Sequence, residues 1–112
     1  LLTLRMVCQP LVENCFVHGF REDGAILNIK MSVTETAGGI VISIRDDGCG
    51  IPTQKRIELL EGYGGYEGNE IGIRNLIYRL RLCYNDRFDF QILSEENAYT
   101  IINVRIPRED NN

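Results

Sequence analysis

The sequence predicts an α/β fold, a two-layer sandwich in which helices cover one face of a mixed, mostly antiparallel sheet. Two patterns lead there. Four segments alternate apolar and polar residues with a period of two, and they come as two pairs, each closed by turn residues. Segments with helical spacing precede and separate those pairs, so the strands join by hairpin and not by crossover. The same order disfavours a Rossmann-like dinucleotide domain, since no G-x-G-x-x-G follows a first strand.

The first helical segment lies between Thr3 and Gly19, with Leu4, Cys8, Leu11, Val12 and Cys15 at helical spacing and Gly19 as its stop. Pro10 leaves two choices: a helix starting near Gln9 with Pro10 in its first turn, or a longer helix kinked there. Asn14 and His18 stack on one side, four residues apart, while Glu13 is turned from Asn14 by about 100°. Glu13 alone reads as a solvated flank; Asn14 with His18 reads at least as well as a ligand-facing pair. Leu27, Ile29, Met31 and Val33 then alternate, Ala37-Gly38-Gly39 turns, and Ile40 to Asp46 returns. The apolar face of this pair needs a cover, which the flanking helices are expected to supply.

Thr53 to Glu61 reads as a short helix capped by Thr53. Gly62 to Glu70 holds four glycines in nine residues, either a surface loop or a lid over a ligand. The loop feeds a strong helix, where Ile73, Leu76, Ile77, Leu80, Cys83 and Tyr84 keep helical spacing and Gly72 sits near the start. Such a start presents free N–H groups suited to phosphate. Phe88, Phe90 and Ile92 alternate, Glu95-Glu96-Asn97 turns, and Ile102, Val104 and Ile106 complete the second pair. Residues 1–107 are expected to form one domain, with 108–112 a polar tail.

Composition narrows the function. The net charge of −4 argues against a general nucleic-acid surface but not against a nucleotide. The four cysteines show no C-x-x-C spacing, and a lone histidine makes a Cys/His zinc site a poor reading. Reduced, core-filling cysteines in a cytoplasmic setting are the natural expectation. The chain opens without an initiator Met and without a signal-peptide pattern, as a piece of a longer protein would.

The chemistry concentrates in Asp46-Asp47-Gly48-Cys49-Gly50. Extending the period of Ile40, Ile42 and Ile44 by two puts Asp46 on the apolar side of its strand. A carboxylate there is costly unless something hydrogen-bonds to it. Two glycines spaced by two then allow a tight bend and close approach of a ligand. The stretch reads either as an ordinary polar turn or as the floor of a nucleotide pocket.

Three stretches together resemble the GHKL-type ATP-binding domains, more narrowly those of LytS/YehU-like sensor histidine kinases. Gln9-Pro10-Leu11-Val12-Glu13-Asn14-Cys15-Phe16-Val17-His18-Gly19 is similar to their N box. Asp46-Asp47-Gly48-Cys49-Gly50 is similar to their D-x-G-x-G box, and Ile71 to Tyr84 to their G-x-G-L-x-N-x-x-x-R-L box with its helix. The resemblance covers nearly the whole chain in the right order.

The resemblance implies a Bergerat-type sandwich that binds ATP and Mg²⁺ as the catalytic half of a histidine kinase. It implies that Asn14 coordinates Mg²⁺, that His18 reaches the phosphates, and that Glu13 acts catalytically near the reacting end. Asp46 would accept the adenine amino group, and Gly48 and Gly50 would let backbone approach base and ribose. Gly72, Ile73 and Arg74 would serve the phosphates, Asn75 belongs with the nucleotide-binding set, and Thr100 would touch the adenine side. Two positions depart from the pattern: Glu70 replaces the first glycine of G-x-G, and Tyr99 replaces the glycine before Thr100.

The implied partners are a dimerisation domain carrying the phosphoacceptor histidine, outside this chain, and a downstream response regulator. The implied setting is the cytoplasmic part of a dimeric, membrane-anchored bacterial sensor. A degenerate nucleotide- or partner-binding module, motivated by Glu70, and a free-standing ATPase of the same superfamily are the alternatives.

Overall fold

Alternate residues of the strand Tyr99–Ile106 are buried, and those residues sit at the centre of the protein. In a computed structural model, residues 4–18, 24, 26–61 and 71–108 are described. The elements run α1 (Leu4–His18), β1 (Ile29–Thr36), β2 (Gly39–Asp46), α2 (Thr53–Glu61), α3 (Ile71–Tyr84), β3 (Asp89–Glu95) and β4 (Tyr99–Ile106). The strands lie in the order β1-β2-β4-β3, and every described pairing is antiparallel. Both expected hairpins form. The pattern did not show how they join: β4 inserts beside β2, with Ile42 opposite Val104 and Ile44 opposite Ile102.

One face of this sheet is dry. Ile42, Ile44, Ile92, Ile102, Val104 and Ile106 meet Val7 and Leu11 of α1, Leu59 of α2, and Leu76 and Leu80 of α3. Each such side chain contributes about 1.5–3 kcal/mol when fully buried, so this layer contact holds the domain together. The other face carries polar pairs, among them Arg105–Asp89 at 2.6 Å and Arg45 over the Tyr99 ring at 5.4 Å. No helix of the described residues is long and apolar enough to cross a membrane.

Three local expectations are settled differently or more sharply. α1 continues through the Pro10 position, so the longer helix of the two choices is the one that forms. α2 begins at Thr53, but the Arg56 N–H bonds to the Pro52 carbonyl, which makes Pro52 the capping residue. The Thr53 hydroxyl accepts instead from the Arg56 guanidinium at 3.1 Å. The third concerns the apolar face of β1. Met31 and Val33 lie opposite Ile44 and Ile42, yet they remain 45% and 46% exposed. α1 packs over β2, and β1 is the sheet edge beyond it. The expected helical cover therefore stops one strand short among the described residues.

α3 closes on Asn85, whose φ of 57° is a left-handed helix stop and whose N–H reaches the Arg81 carbonyl. Gly39 is the other demanding backbone position. Its φ is 136°, and a Cβ there would collide with the Ile106 carbonyl on β4. At Gly38, beside it, a Cβ would meet only Thr36 Oγ1, at an ordinary contact distance of 3.9 Å. Gly39→Ala is therefore expected to lower the unfolding free energy by roughly 2–4 kcal/mol, whereas Gly38→Ala stays within about 0.5 kcal/mol. Urea unfolding of both variants beside the wild type checks this; equal effects would refute the assignment of strain to Gly39.

Candidate functional site

Asp46 ends β2 on the core face, as the period of two requires, and is only 3% exposed. Its Oδ1 accepts the Gly48 N–H at 2.9 Å, so the carboxylate folds the glycine turn back onto itself. Thr100 of β4 stands directly opposite and is equally buried. The two polar residues thus share one end of an otherwise apolar face.

The loop after Asp46 is tied down on both sides. Asp47 accepts the Asn28 backbone N–H and the Asn28 side-chain N–H, each at 2.7 Å, which pins it to the entry of β1. The Cys49 carbonyl accepts the Asn97 N–H from the β3–β4 turn at 2.6 Å. The Ile51 N–H donates to Ser94 Oγ of β3 at 2.7 Å. Ser94 in turn donates to the Tyr99 carbonyl at 2.8 Å and lies 3.1 Å from Thr100 Oγ1. A serine has one proton to give. With that proton on the Tyr99 carbonyl, Thr100 is the donor in the hydroxyl pair.

Gly50 has φ 77°, and a Cβ there would stand 2.5 Å from the Glu95 carbonyl. The close approach it permits is thus to the β3–β4 turn. Gly48 serves through the N–H it gives Asp46.

α1 supplies the opposite wall. Asn14 is 3% exposed, and its Oδ1 has no hydrogen-bond partner among the described residues. Such an orphaned buried carbonyl oxygen is rare and costly, and a hard cation or a ligand proton would satisfy it. Among the described residues no group of three His, Cys, Asp or Glu side chains could hold a metal. A hard cation here would therefore rely on Asn14, ligand oxygens and water, which is how Mg²⁺ commonly binds. Cys15 follows, 2% exposed, and its thiol donates to the Leu11 carbonyl at 3.5 Å. Burial pushes this thiol up from 9.0 to about 12, and the charge of Asp46 adds to the rise.

The remaining expected residues divide. Glu13 is exposed and accepts from Gln9 Nε2 at 3.1 Å. It lines a cleft of about 250 Å³ between α1 and α3, with Pro10, Gly72 and Arg79. The turn of about 100° per residue separates it from its buried neighbour Asn14. Gly72 leaves room for a Cβ, which would meet Pro10 only at 3.9 Å, so packing on α1 does not demand a glycine there. The Ile73 side chain is in the core, which leaves only its backbone to face a ligand. Arg74 is half-buried and Asn75 exposed. The side chain of His18, Gly19, the expected lid 62–70 with Gly68 and Glu70, and the tail residues 109–112 lie outside the described residues.

Sequence reasoning missed Cys15, Ser94, Asn28 and Asp47 as parts of this site. A signal existed for Ser94: it continues Phe90 and Ile92 by two, the same rule that found Asp46.

Residues 1–110 match the family described as histidine kinase-, DNA gyrase B-, and HSP90-like ATPases. Sensor histidine kinase YpdA of Escherichia coli (strain K12) is 36% identical over 104 residues, covering 91% of this chain and 18% of that protein. Sensor protein kinase HptS of Staphylococcus aureus (strain USA300) is 24% identical over 105 residues, covering 92% of this chain and 20% of that protein. The chain thus spans about a fifth of the length of the curated relatives it matches. The histidine kinase domain of the Erythrobacter litoralis EL346 blue-light activated histidine kinase shares the fold, with TM-score 0.65 and 20% identity over 91% of this chain and 44% of that one.

The Cys15 thiol makes stability fall with alkaline pH. Its folded pKa lies above the unfolded 9.0, so the folded state keeps a proton that the unfolded state releases. The stabilisation is complete below pH 9.0 and is lost as pH rises towards about 12. Urea unfolding at about pH 7 and about pH 10.5 should show wild type losing more stability than Cys15→Ala. Parallel losses would contradict the assignment.

Proposed function

Because this chain belongs to the family of histidine kinase-, DNA gyrase B-, and HSP90-like ATPases, we propose that it is the ATP-binding catalytic domain of a sensor histidine kinase. The reaction is transfer of the γ-phosphoryl group of ATP to a histidine on a separate dimerisation domain. The observation that carries this reading is the buried Asp46–Thr100 end of the sheet, a carboxylate held as an acceptor in a dry setting. Likeness to YpdA and HptS, both named as sensor kinases, supports it.

Asp46 accepts the adenine amino group, and guanine is rejected because it presents a carbonyl at that place. Thr100 lines the adenine side. Gly48 and Gly50 shape the loop along base and ribose. Asn14 Oδ1 holds Mg²⁺, which when bound neutralises and orients the phosphates. His18, the backbone of Gly72 and Ile73, and Arg74 serve the phosphates, with Asn75 beside them. Glu13 faces the α1–α3 cleft and acts at the reacting end. Phosphoryl transfer depends on positioning and charge neutralisation, so binding belongs to this chain and turnover needs the acceptor domain. That acceptor, a response regulator and a dimeric, membrane-anchored bacterial parent with this domain in the cytoplasm complete the proposal.

Calorimetric titration with a non-hydrolysable ATP analogue, with and without Mg²⁺, tests it. Saturable, Mg²⁺-assisted binding is expected, weakened about tenfold or more by Asp46→Asn, since the purine amine then loses a charged acceptor. Asn14→Ala should abolish the Mg²⁺ enhancement. Equal binding of a GTP analogue, or an unaffected Asp46→Asn variant, would overturn the reading.

A further inference from the structure

We propose that the open edge of β1 is a self-association surface: a second copy of this chain pairs there, β1 against β1 and antiparallel about a two-fold axis, so that two four-stranded sheets become one. The inference goes beyond the nucleotide reading and does not rest on it.

β1 stands at the end of the strand order, and every residue of it after Ile29 is exposed. The Asp47 N–H donates to the Asn28 carbonyl, so Asn28 and Asp47 extend the hairpin register as a hydrogen-bonded pair. In an antiparallel ladder such pairs alternate with non-bonded ones. Lys30, Ser32, Thr34 and Thr36 therefore turn their N–H and C=O groups to β2, while Ile29, Met31, Val33 and Glu35 turn theirs outward. Among the described residues nothing takes those outward groups. The same four side chains lie on the core side of the sheet, where Met31 and Val33 are left open beyond α1. The edge thus offers a hydrogen-bonding rim together with an apolar strip.

This strand is complementary to itself. A two-fold through Ser32 sets Met31 against Val33 of the second copy, and Ile29 against its Glu35. Each outward residue then meets an outward residue and exchanges two bonds with it, and none of the four is left over. A register shifted by two leaves one of the four without a strand partner on each copy. A register shifted by one sets outward groups against residues already bonded to β2. In the full register Met31 and Val33 of both copies form one cross-strand apolar cluster. On the other face Ser32 meets Ser32 and Lys30 meets Thr34, so no like charges oppose each other. Glu35 is ion-paired with Arg108 of its own copy. β1 has neither proline nor bulge to protect its edge, since it pairs with β2 residue for residue.

An edge of 8 residues buries less than the roughly 1,200 Å² of a stable dimer, so the dissociation constant is expected on the order of 0.1–1 mM. Sedimentation equilibrium up to about 1 mM should show the average mass of the chain rising towards twice that of the monomer. Val33→Lys places a charge in the apolar strip, and Val33→Pro removes an outward N–H without touching the bonds to β2. Both should weaken association about tenfold or more while circular dichroism stays that of wild type; Val33→Lys carries the test where proline unfolds the hairpin. Association unchanged in a folded variant overturns the proposal. So does a wild type that stays monomeric at about 1 mM, which leaves the edge to some other extended segment.

A cross-link reads the register itself. Ser32 on the axis faces its own copy as a non-hydrogen-bonded pair, with Cα atoms about 4.5 Å apart, within the range a disulfide spans. Thr34, on the same face, lies roughly 13 Å from its own copy. Oxidation of Ser32→Cys should give a reducible covalent dimer beyond any formed by wild type through its own cysteines, and Thr34→Cys should not. Equal yields from the two variants, or none from Ser32→Cys, overturn the pairing. No nucleotide enters either measurement, so failure here leaves the ATP reading standing, and failure to bind ATP leaves this one standing.

Discussion

One buried carboxylate sets the terms for the rest of this structure. Asp46 sits at the end of a strand whose other inward residues are isoleucines, in a layer that excludes water. An isolated charge there would be too costly to keep. The fold answers with the Gly48 N–H, which the following turn brings back onto the carboxylate. The turn must therefore stay where it is, and the bonds from Asn28, Asn97 and Ser94 hold it there. The acid and its supports form a single arrangement, and loosening any tie changes the field around the carboxylate.

Much of this was legible, for a definite reason. Period two is a strong code, and it located the inward face of every strand, Asp46 included. Helical spacing likewise located α3 and the bounds of α2. The code speaks only of one element at a time, which explains its failures. It gave β1 an apolar face but could not say that β1 would lie at the edge, beyond the reach of α1, with Met31 and Val33 left partly open. It gave Cys15 an apolar helix side but could not say that Asp46 would stand across from it. Pairing of β4 with β2 brings Thr100 opposite Asp46, and no pattern local to either strand contains that fact.

The N-box helix shows the same division inside one element. Glu13, Asn14 and His18 make a polar cluster in the sequence, in which Glu13 alone reads as a solvated flank and Asn14 with His18 as a ligand-facing pair. The helix turns about 100° per residue, so the cluster splits. Glu13 faces the open cleft against α3, where Gln9 hydrogen-bonds to it, and Asn14 faces inward, where its Oδ1 has no partner among the described residues. Resemblance assigned both to the nucleotide; geometry gives them different environments and hence different chemistry. A buried oxygen without a partner suits the proposed hard cation, whereas an exposed, hydrogen-bonded carboxylate is open to what enters the cleft.

The two ends of the site also differ in how they are built, and that bears on what each can do. The Asp46 end rests on paired strands, a positive-φ glycine locked against the Glu95 carbonyl, and a hydroxyl pair with assigned donors. Nothing there can shift by an ångström without breaking several bonds at once, which suits discrimination of one hydrogen-bonding group on a flat base. The other end is made by the start of α3 and by α1 around Pro10, where Gly72 leaves spare room. Charge on phosphate is satisfied over a range of distances, so if phosphate binds at this end, as proposed, it tolerates the slack that base recognition forbids. On the proposed reading, selectivity is thus concentrated where the backbone is most constrained, and the transferable group belongs to the less constrained end.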